Sequence, residues 1–126
     1  LFAGAFHDLG IWTARTFDYL DPSSKLAHDY LVAQGLEPLW SEVDLIIGQH
    51  HKLRAYTGPF AKSVEAFRRA DLVDLSLGLI RSGVSHEFIQ MVRGQFPNAG
   101  FHGRLAVFTG QQFLRTPLNP FPMMRW

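Results

Sequence analysis

Two residue types that bind divalent cations stand side by side in an apolar run near the start of the chain, Phe6-His7-Asp8-Leu9-Gly10-Ile11. A lone His-Asp pair has an ordinary explanation, a hydrogen-bonded core histidine beside a helix-surface carboxylate. This pair is not alone. His28, His50 and Asp71 follow at steps of 21, 22 and 21 residues, and His51 directly follows His50. Each falls in a stretch that reads as helix, and one ligand per successive helix is how a bundle converges side chains on an interior metal. Cysteine is absent, which removes disulfides, thiolate metal sites and thiol catalysis and leaves imidazole and carboxylate as the strong ligands. That donor set suits manganese, iron, cobalt, nickel or zinc, as one ion or two. A divalent ion with open positions brings the pKa of its water toward neutrality, so hydroxide becomes available near pH 7. Two such ions clamp the attacking oxygen and a phosphoryl oxygen together.

The elements that must position these residues read as helices. Neighbouring residues on a helix point about 100° apart, so His7 and Asp8 share a target only at the edge of a buried face. Phe2, Phe6, Leu9 and Trp12 give the first helix, to about Arg15, although Gly4 and Gly10 weaken it while leaving room for close helix contact. Asp21-Pro22-Ser23-Ser24 reads as a break, with Ser23 or Ser24 capping a second helix from about Lys25 to Gly35 that carries His28. Pro38 opens a third helix to about His51, with Val43, Ile46 and Ile47 on its apolar side. His50 follows Ile47 and Ile46 by three and four residues, so it is the expected inward partner of the His50-His51 pair. A fourth helix, from about Ala61 to Leu77, places Asp71 and Asp74 on one face. A fifth is capped by Ser85 and ends at Phe96-Pro97-Asn98, and a sixth runs from Gly100 to Arg115. Three prolines after Thr116 exclude helix there, so residues 116–126 are expected as an extended strap. With no period-2 strands, the expectation is an all-α chain, a single helical bundle of five to six helices over residues 1–126.

The 126 residues suit one domain with one core. A net charge of +1, without a basic run or basic helix face, argues against nucleic acid as partner. No apolar stretch approaches the roughly 18 residues of a membrane span, and a cytoplasmic protein is the expectation. Leu1 opens an apolar periodic segment with neither cap nor Met, so the natural chain is expected to begin earlier.

His-Asp, then His, then His, then Asp on consecutive helices resembles the HD-domain superfamily, whose best-known members are metal-dependent phosphohydrolases. The likeness is carried by Phe6-His7-Asp8-Leu9-Gly10, Leu26-Ala27-His28, Ile46-Ile47-Gly48-Gln49-His50-His51-Lys52 and Arg69-Ala70-Asp71-Leu72, and covers the chain to about Leu79. It implies that His7, Asp8 and Asp71 hold one metal and that Asp8 bridges to a second held by His28 and His50. His51 matches the adjacent histidine that some members use for a further metal or the substrate. Family members also carry a histidine upstream of the His-Asp pair, for which the six residues before His7 leave no room. That ligand is expected in a missing N-terminal segment.

Arg54, four residues after His50, and Lys52 are the candidate cations for a phosphate. Asp74 reads as a helix-surface carboxylate, and His86 and His102 lie outside the resemblance. Phe101, Phe108, Phe113 and Trp126 read as packing, and the Phe121–Trp126 end as a surface for a partner subunit in a homo-oligomer. The expected function is hydrolysis of a phosphorylated small molecule such as a nucleotide, with Asp8, Arg54 and Lys52 as catalytic groups. The alternatives are di-iron oxygenase or hydratase chemistry on a similar metal site, or a non-enzymatic helical interaction module.

Overall fold

The computed structural model describes residues 1–97, 99–119 and 121–124, and among these the chain is all-α. The helices are α1 (Phe2–Phe6), α2 (Leu9–Thr13), α3 (Leu20–Ala33), α4 (Trp40–Gln49), α5 (Ala61–Leu75), α6 (His86–Gln95) and α7 (Phe101–Arg115). A 3-10 turn at Glu37–Leu39 leads into α4, and another spans Pro122–Met124. No helix among the described residues is long and apolar enough to cross a membrane. By its contacts the chain falls into two compact units, residues 1–69 with 121–126, and residues 70–120.

In the first unit α3 packs against α1, α2 and α4, and α1 also meets α4. The reason lies in the spacing of small and apolar side chains. Ser23, Ala27 and Leu31 form one buried stripe on α3, and Val43, Ile46 and Ile47 form another on α4. Ala3 and Val64 complete this core, with Phe2, Phe6, Trp40 and Phe67 packed around it. Burying a side chain such as Leu31 or Ile47 contributes about 1.5–3 kcal/mol each. The stripe of α4 continues one turn on to His50, which is almost wholly buried.

The expected first helix is two, because the chain leaves the helix at His7-Asp8. Asp8 sits at the edge of the right-handed helical region, φ −105° and ψ 0°, and Ile11 N–H reaches back only three residues to Asp8 O (3.0 Å). The expected break at Asp21-Pro22-Ser23-Ser24 is instead the opening of α3. Pro22 is its third residue, where a missing N–H costs nothing because the first-turn donors have no intrahelical partner. Neither serine caps the helix. Ser23 Oγ accepts from Gly10 N–H (2.9 Å), and the Ser24 hydroxyl donates to Asp44 on α4.

Three other ends follow the sequence signals. Gly35, at φ +68°, closes α3 with Leu36 N–H bonded to Leu31 O (2.8 Å) and Gly35 N–H to Val32 O (3.0 Å). Ser85 caps α6 by accepting from Phe88 N–H (3.2 Å). Gly100 precedes α7 at φ +81°. The expected strap is shorter than 116–126, since Pro122 and Met123 are buried within a 3-10 turn; Asn98 and Trp126, also singled out above, lie outside the described residues.

The second unit holds α6, α7 and the last turns of α5. Ile89 is the buried apolar side chain among its described residues. A cavity of about 310 Å³ remains beside it, walled by Val73, Leu77, Val84, Phe88, Val92 and Phe96.

Gly10 is the tightest point of the first unit. A Cβ there would lie 2.5 Å from Tyr19 O, 2.9 Å from Ser23 Oγ and 3.0 Å from Ser23 N, and the backbone atoms cannot swing aside. Gly10→Ala is therefore expected to destabilise the protein by about 1–3 kcal/mol, read as a lower denaturation midpoint. An unchanged midpoint would mean that α2 and α3 separate at no cost.

Candidate metal centre

Three side chains from two segments converge. One metal-ligating atom each from Asp8, His50 and His51 lies within 4.8 Å of the others. Ligands about 2.1 Å from one tetrahedral ion stand about 3.4 Å apart, so closure onto a cation needs up to about 1.4 Å of adjustment. Asp8 comes from the break between α1 and α2, and the histidines from the end of α4, which stops at Gln49 with His50 as its C-cap. The two imidazoles lie against each other, tilted by 42°, with centroids 4.0 Å apart.

Hydrogen bonds to the main chain aim the rings. His50 Nδ1–H donates to Ile47 O (2.7 Å) and His7 Nδ1–H to Gly4 O (3.1 Å). A carbonyl only accepts, so in each ring Nδ1 carries the hydrogen and Nε2 faces the carboxylate. His50 Nε2 is 3.6 Å from Asp8 Oδ1, and His7 Nε2 is 3.3 Å from Asp8 Oδ2. Such an outward N–H bond is the usual support of a metal-binding imidazole. Phe67 closes the apolar side, edge-on to His7 with centroids 5.2 Å apart.

Asp8 Oδ1 is buried and has no hydrogen-bond partner. Burial pushes the Asp8 carboxyl up, but hydrogen bonds and positive charge from the His50 and His7 imidazoles, when Nε2 also carries a hydrogen, more than offset this and hold it well below the usual carboxylate range. The result is a buried anion faced by ring nitrogens, an arrangement that a cation completes. For His51, burial and then the neighbouring His50 push the imidazole down to about 3, so at neutral pH it keeps a lone pair to lend. The donor set and the orphaned oxygen both fit a divalent ion, with Asp8, His50 and His51 as its holders and His7 beside them.

The other expected ligands stand differently. His28 does not join the group; it lies mid-way along α3, edge-on to Trp40 at 4.7 Å, with its side chain 40% exposed and Nδ1 3.7 Å from Asp29. Trp40 holds the ring there by apolar contact. Asp71 belongs to the second unit, near the end of α5, and its Oδ2 is buried. Arg54 is exposed and Lys52 half-buried in the irregular link after α4. Because α4 ends at Gln49, Arg54 is not one helical turn beyond His50. His102 Nε2–H donates to Asp74 O (3.0 Å), and His86 opens α6, so both have local structural places.

Two features carried no sequence signal. Tyr19, 1% exposed, bonds through its hydroxyl to His51 Nε2 and stands 3.4 Å from His50 Nε2. Arg68, on the buried stripe of α5 with Val64, pairs bidentately with Glu65 (2.7 and 2.8 Å) and donates to Lys52 O (3.0 Å). Glu65 Oε1 also accepts from Tyr56 N–H (2.7 Å). Together they clamp the link that follows His51. Nothing in the residue types marks a tyrosine in a presumed turn, or an Arg-Glu pair at three-residue spacing, as site components. No family model, curated protein or solved structure matches the chain.

Removing Asp8 is expected to empty the site. After dialysis against manganese and then buffer, elemental analysis should find metal in the wild type and in His28→Ala but none in Asp8→Ala. Metal lost from His28→Ala as well would place His28 among the ligands. The Glu65 clamp gives a pH signature. Hydrogen bonding to Arg68 lowers the Glu65 carboxyl from 4.5 to about 2. A depressed folded-state value means stabilisation that is full above pH 4.5 and fades as pH falls toward 2. The melting-temperature gap between wild type and Glu65→Gln should therefore narrow across that window, and a constant gap would show that the charge contributes nothing.

Proposed function

We propose that the protein is a metal-dependent hydrolase of phosphorylated small molecules, such as nucleotides, with an HD-domain-like centre. The observation behind this reading is the buried, unpartnered Asp8 Oδ1 among the imidazole nitrogens of His50 and His51. A divalent cation bound there supplies Lewis acidity and water activated at neutral pH. The chain's own residues do the rest. Asp8 contributes the anionic ligand, and its burial strengthens its hold on a cation by thinning the competing water. His50, fixed by Ile47 O, keeps Nε2 directed inward without loss of side-chain freedom on binding. Phe67 limits water on one flank.

Arg54 and Lys52 follow the histidines in a link whose course is set by the Glu65–Arg68 clamp, and they are the cations proposed to meet the phosphate. Arg54 is the stronger candidate because a guanidinium grips phosphate through two parallel N–H bonds. With no cysteine and no Gly-x-Ser-x-Gly turn in the sequence, water rather than a protein side chain is the proposed nucleophile.

The test is phosphate release from a panel of nucleotides and sugar phosphates by manganese-loaded protein. Chelation should abolish turnover and re-addition restore it. Arg54→Ala should keep its metal and raise KM roughly tenfold or more, the loss of one charge-assisted contact. Metal-loaded protein that releases no phosphate from any of them would overturn the reading.

A further inference from the structure

Tyr19 has no part in the proposed hydrolysis, and its hydroxyl engages atoms that a cation needs. It is the residue just before α3, at φ −105° and ψ −6°, and it is held inward because Gly10 lets α2 lie against its carbonyl. Ser23 N–H bonds to Tyr19 O (2.9 Å), which ties the residue to the first turn of α3. The ring stands edge-on to His51, with centroids 6.1 Å apart, and tilted against His50 at 6.3 Å. Its hydroxyl therefore reaches the inner edge of both imidazoles.

An account of the hydrogens shows why that matters. His50 Nδ1–H is committed to Ile47 O, so Nε2 of that ring presents a lone pair toward the site. His51 meets the phenol hydroxyl through Nε2, and the same hydroxyl is the protein group 3.4 Å from His50 Nε2. The phenol has one O–H to give. Tyr19 and His50 are almost fully shut off from solvent, so water has little access to replace that O–H. A cation, which binds through lone pairs, competes for the atoms that the hydroxyl engages.

We infer that Tyr19 is a positioning residue: its hydroxyl holds the His50 and His51 imidazoles in binding posture in the metal-free protein and gives up His51 when a cation enters. The inference rests on the metal-centre reading and adds a cost to loading, since each binding event breaks the Tyr19–His51 bond. The hydroxyl thus stabilises the metal-free form and weakens metal affinity, while sparing the empty site a rearranged or solvent-filled cluster.

Tyr19→Phe separates this role from a merely structural one. Calorimetric titration with cobalt(II) or manganese should give a dissociation constant about tenfold lower than wild type, the worth of one buried hydrogen bond no longer broken. Metal-free Tyr19→Phe should melt below wild type, and the rise in melting temperature on adding metal should be larger in the variant. A purely structural tyrosine would lower the metal-free and metal-bound forms alike, so an unchanged dissociation constant overturns the inference. Weaker binding also overturns it, because the phenol oxygen would then be a ligand. No binding by either protein overturns the metal-centre reading together with the inference.

Should Tyr19→Phe not fold, Tyr30→Phe/Tyr56→Phe leaves Tyr19 as the sole tyrosine. Its resonance Raman doublet reports whether the phenol donates a hydrogen bond. Metal should shift that doublet away from the donor state, and a doublet unaffected by bound metal rejects the inference.

Discussion

The contact of two backbones at Gly10 is the constraint on which the first unit depends. With no side chain there, α2 lies directly on the start of α3, and Gly10 N–H finds Ser23 Oγ as its acceptor. That contact anchors the chain two residues after Asp8 and beside Tyr19. It therefore sets two of the four groups in the cluster with a single approach. The break at His7-Asp8 is linked to it, because it leaves two short helices that each meet α3.

The histidines arrive by a different device. On α4 the spacing of Val43, Ile46 and Ile47 carries His50 into the core, and His51 follows it in a turn closed by Lys52 N–H on Gln49 O. A helix end leaves carbonyls without partners, and His50 Nδ1 bonds to one of the last of them, Ile47 O. The orphan groups of the terminus thus become the support of the imidazole. Beyond it, Arg68 and Glu65 satisfy Lys52 O and Tyr56 N–H, so the link after His51 has fixed main-chain partners despite having no regular structure.

Burial and charge are balanced in the cluster itself. An aspartate oxygen shut off from solvent and lacking a hydrogen bond is costly, and histidines on both sides offset part of that cost. Natural cores hold few such orphaned atoms, and where they cluster with ring nitrogens they point to a ligand rather than to packing. Within the second unit His102 donates to Asp74 O and Arg93 to Leu77 O.

Much of this was legible in the chain. Apolar spacing determines the helices, Gly35, Ser85 and Gly100 mark their ends, and the position of His50 three and four residues past Ile47 and Ile46 places it in the core, because these are local consequences of helical geometry. The residue types His7, Asp8, His50 and His51 likewise raised the expectation of metal-ligand chemistry without any fold, and the structure brings Asp8, His50 and His51 together as a candidate triad. Only the tertiary structure decided that His51 joins Asp8 and His50 while His28 turns to Trp40. It also decided that Pro22 opens a helix instead of breaking one, and that Tyr19 and Arg68 belong to the site's support. Each of these depends on which backbone lies against which, and a close approach such as that at Gly10 is set by partners distant in sequence, beyond the reach of spacing or propensity.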